Sequence, residues 1–283
     1  MSDDHAGASV PGAIAAVLGW PVAHSLSPRL HGFWLQEQGL DGSYLGLPVP
    51  PDRFETAVRG LAAAGFRGAN VTVPHKLAAL ELADETDAAA RAIGAVNTLV
   101  FQADGRILGR NTDAHGFMAN LRQGGVDPEV GPALVIGAGG AARAAVHALL
   151  DAGCPRLYLT NRTRATAAAL AEGMADDRIT VLPLNCLEQW PDDIVLLVNT
   201  TILGMAGKGV LEVDLSGLPP GACVHDIVYV PLETPLLRSA RERGLRTVDG
   251  LGMLLHQAVP AFRAFFGRDV AVTDALRAHV LGR

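Results

Sequence analysis

Of the 23 Lys and Arg residues in the chain, only Lys76 and Lys208 are lysines. An ammonium can release a proton whereas a guanidinium does not. A chain that uses arginine almost everywhere else therefore marks Lys76, at the end of Asn70-Val-Thr-Val-Pro-His-Lys76, as a proton-transfer candidate. Pro74 reads as the first residue of a helix, which puts Lys76 in the first turn, where the positive end of the helix dipole opposes its charge. Lys208, between Gly207 and Gly209, has the setting of an ordinary surface cation.

Asp113, in Gly109-Arg-Asn-Thr-Asp113, closes a first series of elements just before a second begins. A carboxylate there, expected at a cleft between domains, would hold the Lys76 ammonium in place. Asn-Thr-Asp ahead of a helix also reads as an N-cap, and the residue types alone leave both readings open. His24-Ser-Leu-Ser-Pro28 is equally two-sided. Ser27 before Pro28 suits a helix cap, while the hydroxyls of Ser25 and Ser27 at a helix start would also bind a small carboxylate without any arginine.

Gly137-Ala138-Gly139-Gly140-Ala141-Ala142 fits GxGxxA, with an apolar strand before it and a helical run after it. Gly137 permits the tight turn, Gly139 lets a pyrophosphate approach the backbone, and the helix start presents amides to it. The GK[ST] of a nucleotide-hydrolysing loop is missing. At the end of the next strand, where Asp or Glu would meet an unphosphorylated ribose, the chain reads Asn161-Arg162-Thr163-Arg164. Two arginines suit a 2′-phosphate, so the expected cofactor is NADP(H), selected by Asn161, Arg162 and Thr163. A nicotinamide enzyme that reduces a carbonyl needs a group to protonate the oxygen as hydride arrives, and Lys76 fits that role.

The elements that must position these groups alternate. Strands are expected at 13–19, 44–49 and 68–73, helices at 28–38, 52–64 and 74–83, and a hairpin at 95–101 and 106–109 around Asp104-Gly105. After the Gly- and Pro-bearing stretch 124–132, a second series has strands at 133–137, 156–160, 179–182, 194–199 and 223–227. Its helices are expected at 140–151, 165–173 and 235–243, the pattern of a doubly wound parallel sheet. Helices at 252–266 and 274–281 follow. The expected architecture is two α/β domains, an N-terminal substrate domain (1–113 plus 250–283) and a Rossmann-type domain (114–249), with C-terminal helices returning to the first.

Composition narrows the class. With 283 residues, 49% apolar, 18% charged and a net charge of −6, the chain reads as globular, with small-molecule partners rather than nucleic acid or membrane. The start is acidic where a signal peptide is basic, and the apolar run 13–20 is too short to span a bilayer, so a cytoplasmic protein is expected. Cys154, Cys186 and Cys223 show no paired spacing and read as buried small hydrophobes. The nine histidines form no ligand cluster, so no metal is expected.

His24-Ser-Leu-Ser-Pro28, Asn70-Val-Thr-Val-Pro-His-Lys76, Gly94-Ala-Val-Asn-Thr98, Asn111-Thr-Asp113, Gly137-Ala-Gly-Gly140, Asn161-Arg-Thr163 and Asp249-Gly-Leu-Gly-Met-Leu254 with Gln257 together resemble the shikimate dehydrogenase family, in family order over almost the whole chain. The resemblance implies a reversible NADPH-dependent reduction of 3-dehydroshikimate to shikimate, serving aromatic amino-acid (chorismate) biosynthesis. It implies Ser25, Ser27 and Tyr229 at the substrate carboxylate, Asn70, Thr72, Asn97 and Gln257 at the ring hydroxyls, and Lys76 with Asp113 as the catalytic pair. On the cofactor side it implies Gly137, Ala138, Gly139, Gly140, Ala141, Asn161, Arg162, Thr163, Arg164, Thr201, Met205 and Gly250. Thr166 stands where a second basic residue is common, with Arg164 as its substitute, and Arg110 and Ala114 replace an acidic residue and a glycine. The rival readings are a quinate/shikimate dehydrogenase of broader substrate or NAD use, a paralogue acting on an aminated analogue, and an idle NADPH-binding regulator. That last protein would not need Lys76 and Asp113 together. A monomer or homodimer is expected.

Overall fold

The computed structural model describes residues 12–184 and 190–283. Cys186 and the acidic start 1–5 lie outside them, so the expectations placed there are not addressed by the fold. Cys154 and Cys223 are buried free thiols, and among the described residues no helix is long and apolar enough to cross a membrane. The contacts divide the chain into two compact units, one running to Thr112 and resuming over Ala258–Arg283, the other covering Asp113–Gln257.

In the first unit the order is β1 (Ala13–Gly19), α1 (Ser27–Glu37), β2 (Gly42–Pro48), α2 (Phe54–Ala63), β3 (Gly68–Val71), α3 (Lys76–Leu82), β4 (Glu85–Thr86), α4 (Ala88–Ile93), β5 (Thr98–Phe101) and β6 (Ile107–Arg110). They form one mixed sheet in the order β2-β1-β3-β5-β6-β4. β1 pairs in parallel with β2 and β3, whereas β5 runs antiparallel to both β3 and β6. The interior strands β1 and β3 are apolar or small along nearly their whole length because both faces are covered. Ala16, Leu18, Phe54, Val58, Val71, Ala79 and Leu99 form the core on one side of it.

The second unit contains α5 (Asp113–Gln123), β7 (Ala133–Ile136), α6 (Gly140–Asp151), β8 (Leu157–Thr160), α7 (Arg164–Met174), β9 (Ile179–Val181), β10 (Leu196–Asn199), β11 (Cys223–Asp226), α8 (Pro235–Glu242) and β12 (Arg246–Val248). Its six strands are all parallel, in the order β12-β11-β10-β7-β8-β9. This is the doubly wound order, with the chain reversing direction of travel between β7 and β10, the place where such sheets bind dinucleotides. α9 (Leu251–Phe266) begins in this unit and ends in the first, and α10 (Asp274–Leu281) completes the first.

The strands and helices anticipated from periodicity are present with shifts of at most three residues at their ends. Three elements were not anticipated, β4, α4 and β12, and the helix that Asn-Thr-Asp113 announces, α5, was expected without bounds. The helix expected from Pro74 instead begins at Lys76 with His75 as its N-cap. His75 is drawn out of the helix by its own buried contacts: its amide donates to Thr72 O, its Nε2 lies 2.8 Å from Val49 O, and its ring stacks on Phe54.

Candidate active site

In the first unit, the carboxyl ends of β1 and β3 lead into the loops that carry Ser25 and Thr72 and on to the helix starts at Ser27 and Lys76. Because β5 runs antiparallel to β3, its beginning lies at the same edge, and Asn70 sits opposite Thr98 in the ladder. Trp20 N donates to Val73 O at 3.1 Å and Thr72 N to Leu18 O at 2.9 Å, which ties the two loops together. Val96 N donates to Lys76 O at 3.0 Å, fixing the start of α3 beside the segment that holds Asn97. One edge of one sheet thus presents an ammonium, several hydroxyls and two carboxamides.

Ser27 is not the cap that Ser27-Pro28 suggests. It is the first residue of α1, Leu26 occupies the N-cap position, and neither supplies a side-chain cap. Instead Ser27 N donates to Ser25 Oγ at 3.3 Å, so the Ser25 oxygen accepts and its own proton stays available to a ligand.

The carboxamides are held on all sides. Asn70 Nδ2 donates to Thr98 Oγ1 at 2.9 Å and to Asn97 O at 3.3 Å, and Tyr44 Oη donates to Asn70 Oδ1 at 2.6 Å. Asn97 Nδ2 donates to Thr112 Oγ1 at 3.0 Å, while its Oδ1 accepts from Thr112 N at 2.9 Å and from Thr98 Oγ1 at 3.0 Å. Burial of so many polar groups is tolerable because each is paired. Tyr44, Thr98 and Thr112 were not singled out from sequence. A tyrosine or threonine on a strand reads as ordinary β-sheet composition, and only the fold brings them to Asn70 and Asn97.

In the second unit the predicted cofactor residues other than Gly250, which follows β12, lie at the carboxyl ends of β7, β8 and β10. Gly137 has φ +118°, a conformation side chains other than glycine's rarely adopt, and a Cβ there would lie 3.2 Å from Thr201 Cγ2. Around Gly139 a Cβ would meet nothing within 4 Å, and the first turn of α6 carries no side-chain cap. That is the space and the set of unclaimed amides a pyrophosphate needs, and Ala138, Gly140 and Ala141 complete the turn. Gly137 N donates to Thr160 O and Thr200 N to Ile136 O, bracing the turn from both neighbouring strands.

Asn161 Nδ2 donates to Thr163 O at 3.0 Å, and Arg162, Thr163 and Arg164 are exposed beyond it. Thr163 is the N-cap of α7 without a side-chain cap bond, and Arg164 is that helix's first residue. Two guanidinium groups and free hydroxyl and amide donors at the end of β8 fit a ribose phosphate.

Thr201 and Met205 lie in the loop after β10, which is anchored from below by side chains not assigned any role in advance. Asn199 Oδ1 accepts from Thr201 N at 2.9 Å and Thr201 Oγ1 at 2.8 Å, and Asn199 Nδ2 donates to Leu203 O and to Asp226 Oδ1. Asp226 also accepts from Val228 N and Thr234 Oγ1. Burial pushes the Asp226 carboxyl above the usual carboxylate range, against the three hydrogen bonds that favour its ionised form.

Tyr229 is half-buried on the segment that Asp226 holds, its hydroxyl pushed up by burial. Gly250 packs against the backbone of Ile227, at a separation that leaves no room for a Cβ. Gln257, on α9, donates from Nε2 to Leu254 O at 3.0 Å. Asp113, nearly buried, is the first residue of α5 and follows Thr112 directly. Among the described residues no group of His, Cys, Asp and Glu is placed to hold a metal ion.

Three family models match in chain order: the shikimate dehydrogenase substrate binding domain over residues 17–99, shikimate/quinate 5-dehydrogenase over 127–201, and the shikimate 5′-dehydrogenase C-terminal domain over 250–281. A shikimate dehydrogenase (NADP(+)) of Paramagnetospirillum magneticum is 57% identical over 270 residues, covering 95% of this chain and 98% of the relative. Among solved structures, the Thermus thermophilus shikimate 5-dehydrogenase in complex with NADP(H) and shikimate superposes with a TM-score of 0.86 at 39% identity, covering 95% of this chain and 99% of that one. The Corynebacterium glutamicum quinate dehydrogenase in complex with NAD reaches a TM-score of 0.89 at 30% identity, covering 96% and 100%.

Proposed function

The chain belongs to the shikimate dehydrogenase family, and from that premise we propose how its own residues carry out the reaction. The activity is the reversible, NADP(H)-dependent reduction of 3-dehydroshikimate to shikimate, a step toward chorismate and the aromatic amino acids. NADPH, when bound, supplies the hydride.

Ser25 and Ser27 donate hydroxyl protons to the substrate carboxylate, with Tyr229 as a further donor. Asn70, Thr72, Asn97 and Gln257 hold the ring hydroxyls. Lys76 gives its proton to the C3 carbonyl oxygen as that oxygen gains charge, and Asp113 keeps the ammonium in position and takes part in returning the proton. The turn at Gly137 to Ala141 would hold the pyrophosphate and Asn161 to Arg164 the ribose phosphate, with Thr201 and Met205 on the nicotinamide side and Gly250 a further cofactor contact. The observation that supports the substrate half best is the single sheet edge that brings Ser25, the run Asn70, Thr72 and Lys76, and Asn97 together from three separate segments. The reading extends to a cytoplasmic enzyme that works as a monomer or homodimer, which light scattering on the purified protein distinguishes.

The test is Lys76→Met. Turnover with 3-dehydroshikimate should fall by about a thousandfold or more while NADPH affinity, read by fluorescence titration, stays within about twofold. An active Lys76→Met enzyme would sink the assignment. Running dehydroquinate and NADH beside 3-dehydroshikimate and NADPH separates this reading from a quinate- or NAD-using one.

A further inference from the structure

The hydrogen bonds around Asn70 fix which way its carboxamide faces. Asn97 O can only accept, and Thr98 Oγ1 has already committed its proton to Asn97 Oδ1, so both are acceptors toward Asn70. The Nδ2 end must face them, which spends both amide protons inside the protein. The Oδ1 end then faces Tyr44 Oη, 2.6 Å away, and takes its proton into one of two lone pairs. What Asn70 has left for a ligand is one acceptor site.

Tyr44 is itself held rigidly. Its ring lies on His31 with centroids 3.9 Å apart and planes 1° apart, and His31 is in turn enclosed by Trp34, Phe262, Phe265 and Phe266. Such a ring has no freedom to swing its hydroxyl away, and burial raises the hydroxyl's pKa, keeping it a proton donor. The aromatic cage contributed by α1, β2 and α9 therefore ends in a single donor aimed at Asn70.

We propose that Tyr44, acting with Thr98, is a positioning residue that locks the Asn70 carboxamide as a pure acceptor, so that this position recognises a ligand group able to donate, a ring hydroxyl, and rejects a carbonyl or ether oxygen there. The inference rests on the reading of Asn70 as a substrate contact. It adds two residues to the site and gives the contact a direction.

The test is a double-mutant cycle on the full-length enzyme with Tyr44→Phe and Asn70→Ala, each singly and together, measuring KM for 3-dehydroshikimate and for NADPH. Tyr44→Phe keeps the ring stack on His31 and removes one oxygen. Its substrate KM should rise about threefold to tenfold, the range for one lost hydrogen bond, with NADPH KM unchanged. In the Asn70→Ala background the same change should add nothing, because Tyr44 acts through Asn70, whereas a merely structural role would give additive effects or move both KM values.

Thr98→Val removes the acceptor at the other end of the amide and should also raise the substrate KM with NADPH KM unchanged, which keeps the test available if Tyr44→Phe does not fold. An Asn70→Ala enzyme with normal substrate KM overturns the substrate reading of Asn70 and the inference with it. A raised KM in Asn70→Ala combined with normal values in Tyr44→Phe, or in Thr98→Val if that variant carries the test, overturns the inference alone, as does additivity in the cycle.

Discussion

The side chains assigned to chemistry were readable as types, but those that hold them were not. Lys76 stood out because it is one of two lysines, and Arg162 because it sits at the end of a strand after a glycine turn. Asp226 shows the opposite case. It is wholly buried, with Asn199, Val228 and Thr234 all donating to its two oxygens, and Asn199 passes the constraint on to Thr201 and Leu203. Read in sequence, Asp226 is one acidic residue at the end of a strand; nothing local says that Asn199 and Thr234 converge on it as well as the neighbouring Val228 amide. Replacing it by alanine would leave those donors without an acceptor in a dry interior. We expect Asp226→Ala to cost roughly 2–4 kcal/mol, read from the urea midpoint, and to raise the NADPH KM because the Thr201 loop loses its anchor. A midpoint within experimental error of the parent would show that the network relaxes without cost.

Elements with strong periodicity or a glycine turn were legible, and those missed or left without bounds are either very short or thinly striped. β4 and β12 are two and three residues long, too short for an alternation to register. α5 is long enough, but it opens with Asp113, carries Gly116 in its interior and has polar residues at Asn120, Arg122 and Gln123, so its apolar stripe is thin. The structure explains the glycine. A Cβ at Gly116 would lie 2.6 Å from Gln257 Cβ and 2.7 Å from Met253 O, so α9 crosses α5 with backbone nearly in contact. Helix propensity was given up for close packing, and the packing fixes the backbone that carries Gln257. Gly116→Val should therefore push α9 away at a cost of about 1–3 kcal/mol in unfolding free energy. If Gln257 contacts the substrate, the same variant raises the 3-dehydroshikimate KM more than the NADPH KM. A stable variant with unchanged kinetics would mean that the helices separate freely at this point.

At the level of the whole molecule, each compact unit encloses one fully buried neutral histidine. His31 sits among aromatic rings, and burial lowers its pKa to about 3; His225, on β11 beside Phe117, has its pKa lowered to about 4 by burial, against a hydrogen bond between Nδ1 and Val248 O. Among the described residues neither ring nitrogen of His31, nor Nε2 of His225, has a hydrogen-bond partner. An unfolded chain would protonate both imidazoles below about pH 6.5, while the folded chain leaves them neutral until much lower pH. Between those limits the unfolded state binds more protons, so stability rises with pH and falls on acidification. The loss approaches about 1.4 kcal/mol per pH unit for each histidine, or roughly 2 kcal/mol each at pH 5. Asp226 works the other way, because its raised pKa lets the folded chain take up a proton first. The histidine contribution is separable by comparison. His31→Phe keeps a ring in the cage, and its unfolding free energy should fall less steeply than the parent's from pH 6.5 downward, by close to one proton's worth of slope. Parallel profiles for parent and variant would show that His31 does not stay neutral in the fold, and that an acid-resistant form of this enzyme must be sought elsewhere in the chain.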